Sequence, residues 1–146
     1  MRVEMPRKLQ RDRRFEPCPT EPGDELFPNG IFEFNITRLL GFIAAQPERF
    51  PTETVDLAAI PKYGSDVELA GAAVQAADVS RPILLAEMAP GLFNLIDGHH
   101  RVAKARRQLA RTIAARRVRC PDHVPFLTST RAYERYVEYW NSKLRR

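Results

Sequence analysis

The stretch from Arg81 to Val118 constrains the fold more than any other part of the chain. "RPILLAEM" opens on a proline and runs through Ile83, Leu84 and Leu85, the pattern of a buried strand. "APG", Ala89 to Gly91, is a turn, and "LFNLI" is the second strand of a hairpin-like pair. Asp97-Gly98 then breaks the apolar run and the period changes. Val102, Ala105, Leu109 and Ile113 fall on one helical face, with Lys104, Arg107 and Arg111 on another. A third strand is expected near Ile113 to Val118.

Residues 1–29 are polar, with Pro6, Pro17, Pro19, Pro22 and Pro28, and predict a basic arm that is disordered or extended. "GIFEFNI" alternates as a short strand carrying Phe32 and Phe34 on one side. "TRLLGFIAAQPERF" predicts a helix capped by Thr37, with Leu39, Leu40 and Ile43 facing inward and Pro47 ending it. Thr54 to Ile60 predicts a strand stopped by Pro61. "KYGS" is a turn, and Asp66 can cap a helix carrying Val67, Leu69, Ala70, Ala73, Val74 and Ala77. Near the end, Tyr133, Tyr136, Val137 and Trp140 repeat at i, i+3, i+4, i+7, a helix over about 130–144. The expectation is one α+β domain over 30–146, a small mixed sheet flanked by helices.

The chain has 146 residues, and its 44% apolar content suffices for one core without staples. No apolar run is long enough to span a bilayer, and the basic start has none behind it, so neither a signal peptide nor a membrane anchor is expected. Cys18 and Cys120 form no disulfide framework, which points to a reducing, cytoplasmic setting. The net charge of +5 suits an anionic partner. It gathers in two clusters: Arg2, Arg7, Lys8, Arg11, Arg13 and Arg14, then the acid-free run from Arg101 to Arg119. Either cluster is equally well read as a solvated face.

Function concentrates where the second strand meets the helix. First-turn N–H groups lack partners within a helix and sit at the positive end of its dipole. Gly98 lets a phosphate approach that backbone, and Arg101 adds a planar cation. His99 and His100 can donate hydrogen bonds or move protons, and Asp97 can orient an imidazole, accept a proton or hold a divalent ion. The structural alternatives are an ordinary Asp-Gly turn and an Asp97 N-cap. Neighbouring imidazoles diverge by roughly 100° on a helix, so one histidine at most need face a ligand.

The run "RPILL…FNLIDGHHRVAKARRQ…TIAARRVR" resembles the ParB/sulfiredoxin-like superfamily: an apolar strand after proline, a turn, another strand, then Gly-x-x-Arg opening a helix. The resemblance covers about Val55 to Arg119. It implies nucleotide binding, with Gly98, His100 and Arg101 holding the phosphates of ATP, ADP or CTP and Arg81 bordering them. Asp97 or His99 would then serve as general base, and Asp97 would help hold magnesium. Sulfiredoxins carry a catalytic cysteine where this chain has His99, which argues against sulfinic acid reduction. Partition proteins carry Gly-Glu-Arg-Arg there and continue into further modules. The 27 residues after Arg119 (146 minus 119) are too few for those, so a complete partition protein is not expected. The form Asp-Gly-His-His-Arg is similar to members acting on small molecules, which implies phosphoryl transfer to, or hydrolysis of, a small-molecule partner.

Other readings stay open. A non-catalytic nucleic-acid module would use the basic arm and helix, with Lys104, Arg106, Arg107 and Arg111 along a phosphate backbone. A zinc site would join Asp97 and His99 with Cys120 or His123. Glu53, Asp56, Asp66 or Glu68 is each a candidate for a further acid. Tyr133, Tyr136 and Trp140 read as core rather than as a base-stacking platform. The sequence also leaves room for a homo-oligomer.

Overall fold

A computed structural model describes residues 6–29, 32–61 and 71–144. The "KYGS" turn, the Asp66 cap and the first half of the helix expected after it fall outside these residues, as do Glu68 and Arg2.

The hairpin expected from the sequence is present. Strand β4 (Ile83–Ala89) pairs antiparallel with β5 (Leu92–Asp97). Helix α3 (His99–Arg107) carries the chain across to β6 (Thr112–Val118), which runs parallel to β4, with Leu84 beside Arg116. Strand β3 (Glu53–Asp56) closes the other edge against β6, giving the order β3-β6-β4-β5. Alternation along β4 explains its unbroken apolar run. Ile83 and Leu85 enter one core with Leu95, Ile113, Val102 and Ala105, and so lie under α3. Leu84, Ala86 and Met88 enter a second core, covered by α1 (Ile36–Ala44) and α4 (Thr130–Lys143). The fold is therefore α+β, a small mixed sheet with helices on both faces. Helix α2 (Gly71–Ala76) packs on α3. No described helix is long and apolar enough to cross a membrane.

Residues 6–25 form no helix or strand, yet they are fastened along α4. Trp140 Nε1 donates to the Arg7 carbonyl at 2.9 Å, and the Asn141 amide pairs with both Leu9 N (2.8 Å) and Leu9 O (3.0 Å). Tyr133 accepts from Asp12 N at 2.6 Å and stacks on Phe15, ring centroids 4.1 Å apart. The end of the arm then forms β1 (Leu26–Asn29), antiparallel to β2 (Phe32–Asn35) in a separate two-stranded sheet.

Three local expectations are corrected. Helix α1 is capped by Asn35, whose Oδ1 accepts from Arg38 N at 3.1 Å; Thr37 instead uses its hydroxyl on Glu25 N. The strand expected over Thr54 to Ile60 ends at Asp56, because the Asp56 carboxylate accepts from Ala58 N and turns Leu57–Ala59 into a 3-10 turn. Leu109 does not lie on the buried face of α3. The helix stops at Arg107, and Leu109 takes a left-handed conformation (φ 57°), 89% exposed.

Candidate functional site at the strand–helix junction

Asp97 ends β5 and Gly98 is the N-cap of α3, with φ 103°. A Cβ at Gly98 would lie 2.6 Å from Ile83 Cγ2, so glycine is required both by its dihedral angle and by the packing of the first β4 residue. That demand is internal to the fold. The sequence offers both a phosphate role and a plain Asp-Gly turn for this glycine, and the contact with Ile83 adds a packing demand to the turn.

No side chain caps α3. The capping role allowed for Asp97 is thus not found: Asp97 Oδ2 accepts instead from Arg101 Nη2 at 3.0 Å. The second Arg101 terminal nitrogen donates to the carbonyls of Arg81 (3.3 Å) and Pro82. One guanidinium therefore ties the end of β5 to the start of β4. Three of its five N–H groups are engaged, and the Arg101 and Asp97 side chains are 12% and 11% exposed. A planar fork suits this duty better than an ammonium would.

The two histidines part company. His99 lies half-buried with its ring stacked on Phe27 of β1, centroids 5.7 Å apart. His100 is exposed. A cavity of about 210 Å³ adjoins the junction, and neither histidine lines it. Leu40, Ile43 and Ala44 of α1 form part of its wall together with Leu84. Asp97, Arg101, Arg81 and Arg116 supply its charge. Of the residues singled out from sequence, the structure thus gathers Asp97, Gly98, Arg101 and Arg81, sets His99 against an aromatic ring, and turns His100 to solvent.

Arg116, Phe27 and Glu25 were not singled out. Glu25 lies close enough to feel both Asp97 and Arg101. Partial burial, then the Asp97 charge, raises its carboxyl above the ordinary range, with Arg101 opposing. Nothing local in "DELFPNG" marks it, because it reaches the junction through the β1–β2 pairing. Arg116 was legible as a strand residue of β6, but its position beside Leu84 depends on parallel register.

The remaining candidates have other duties. Glu53 pairs with Arg117 at 2.9 Å, and Asp56 holds the 3-10 turn. Lys104 donates to the carbonyls of Gln75 and Ala77 at the end of α2, and Arg106 to Ile60 O. Arg11 of the arm meets Glu134 at 3.1 Å. Much of the basic stripe is therefore taken up within the molecule, while Arg107 and Arg111 stay exposed.

His123 is fully buried in the α4-side core, its Nε2 2.8 Å from Glu87 O and 3.1 Å from Tyr136 Oη. Burial pushes the Cys120 thiol up to about 11. Among the described residues no group of three or more His, Cys, Asp or Glu side chains is arranged to hold a metal ion. A magnesium ion brought by a nucleotide asks for less, one carboxylate oxygen besides phosphate and water. Asp97 fits that demand through Oδ1, which enters no hydrogen bond among the described residues.

Comparison of the chain with protein-family models, curated proteins and solved structures gives no match.

Proposed function

We propose that this is a ParB/sulfiredoxin-like nucleotide-binding protein whose phosphate site is the start of α3, serving phosphoryl transfer to, or hydrolysis of, a small molecule. The observation that carries the reading is the convergence at one point of an uncapped helix start, the Arg101–Asp97 pair and a cavity with further arginines. Backbone N–H groups at such a helix start favour an anion, and the dipole adds to them. The order of elements supports the same reading: hairpin, Gly98-x-x-Arg101 helix, parallel return strand. Arg101 is already oriented, so a ligand would cost little ordering there.

In this reading the phosphates rest on the first turn of α3, with His100 and Arg81 reaching them from the surface. Magnesium would be held by Asp97 Oδ1 and would neutralise phosphate charge. With Asp97 so occupied, His99 would take the proton from the acceptor, and positioning with charge compensation does most of the catalysis.

Calorimetry with ATP, ADP and CTP in the presence of magnesium tests this. Arg81→Ala and His100→Ala are the informative variants, since both side chains are exposed and the fold does not depend on them. Each should weaken binding about tenfold, the loss of one charge-assisted hydrogen bond. Absence of binding by the wild-type chain, or affinities unchanged in both variants, rejects the proposal.

A further inference from the structure

The cavity beside the junction has its own chemistry. Its volume is about 210 Å³. Pockets that enclose drug-sized ligands run to roughly 300–1,000 Å³, so a nucleotide is too large to enter it. A small molecule is not.

Its charge is unbalanced. Asp97 and Arg101 neutralise each other and Arg81 feels the Asp78 carboxylate, which leaves Arg116 as the uncompensated charge alongside the more exposed Arg81. Neither takes part in an ion pair among the described residues. Arg116 is the more telling, because it is half-buried on β6. Among the described residues its guanidinium makes one hydrogen bond, a long one, Nε to Thr52 Oγ1 at 3.4 Å. Its sequence neighbour Arg117 has Glu53 at 2.9 Å and lies over the Phe93 ring. A guanidinium that lines a cavity and has no carboxylate partner among the described residues suits an oxyanion, which it can hold through two parallel N–H bonds.

The rest of the wall is apolar. Leu40, Ile43 and Ala44 offer nothing to a bare inorganic ion, but they gain from contact with a short hydrocarbon. We propose that this cavity binds a small organic oxyanion, a phosphate or carboxylate on Arg116 and Arg81 with a body of a few carbons against α1. The inference rests on the reading of the junction as a phosphate site in one respect, that this molecule is then the small partner held beside the nucleotide.

The test is titration of the full chain with n-butyl phosphate, butyrate, inorganic phosphate and butanol, followed by amide chemical shifts and calorimetry. Butyl phosphate should bind roughly tenfold or more tighter than inorganic phosphate, the gain from burying part of the butyl chain. The stronger of butyl phosphate and butyrate identifies the oxyanion. Arg116→Met keeps the apolar stem and should weaken butyl phosphate about tenfold. Leu40→Gln should erase the preference for the butyl compound while keeping phosphate. Equal binding of butyl phosphate and inorganic phosphate, equal binding of butanol, or full affinity in Arg116→Met overturns the inference. Nucleotide calorimetry on the same variants separates the two claims. Butyl phosphate binding without any nucleotide binding rejects the junction reading and leaves the cavity assignment standing. Nucleotide binding without binding of either butyl phosphate or butyrate does the reverse.

Discussion

His123 should make the protein sensitive to mild acid. Its ring is fully buried among Phe34, Tyr136 and the β4 backbone, with Nε2 against the Glu87 carbonyl. Burial is the dominant cause that lowers its pKa from 6.5 to about 4, outweighing the Glu87 and Arg119 carbonyls and the Asp122 charge. In the unfolded chain the imidazole takes a proton as pH falls below 6.5; in the folded chain it does not until about 4. The unfolded state binds more protons across that window, so stability rises with pH there. The contribution is fully present above 6.5, declines on acidification and is exhausted below 4. The whole shift corresponds to about 3 kcal/mol, and two-state linkage places about 2 kcal/mol of the loss between pH 7 and pH 5. Urea unfolding at those two pH values should show the midpoint falling with an unchanged m-value. His123→Phe removes the titrating group, and Tyr136 still donates to the Glu87 carbonyl at 2.7 Å. The difference between the pH slopes of wild type and variant isolates His123 from the other histidines. Equal slopes, or an imidazole resonance of His123 titrating near 6.5, would refute the reasoning.

Three further outcomes follow from the junction and the end of α3. Gly98→Ala combines a left-handed dihedral with a 2.6 Å approach to Ile83, and should cost about 2 kcal/mol or more, read as a drop in urea midpoint. Leu109→Gly should raise stability by about 1 kcal/mol, because a left-handed residue just past a helix favours glycine and the exposed leucine packs on little; thermal melts check it. Arg101→Met should destabilise by about 2–3 kcal/mol by leaving Asp97 and two carbonyls unpaired, and adding Asp97→Asn should recover part of that loss in the double variant.

The segments that could be read from the sequence are those where a period runs long enough to fix a face. Strands β4 and β5, the start of β6 and helix α4 were legible because Ile83 to Leu85, then Leu95 and Ile96, then Tyr133, Tyr136, Val137 and Trp140 are buried as their spacing promises, although Leu92 at the start of β5 is 61% exposed. Periodicity overshot at Leu109, where the apolar residue in phase belongs to the turn after the helix. Caps were misassigned where two polar residues compete: Asn35 lies two residues before Thr37, and only the backbone decides which holds the helix. At the site, Asp97, Gly98 and Arg101 could be read because they adjoin one another. Arg116, Phe27 and Glu25 could not, since register and a second sheet deliver them. The opposed duties of His99 and His100 likewise depend on Phe27.

The fastening of the arm has a consequence for mutational latitude. Trp140, Asn141 and Tyr133 grip main-chain atoms of residues 7 to 12, not their side chains. Arg7 and Gln10 can therefore be exchanged for residues of other charge or size, altering the surface chemistry of this segment while it stays in place. Proline is the exception at Leu9 and Asp12, where it would delete the N–H that Asn141 and Tyr133 hold.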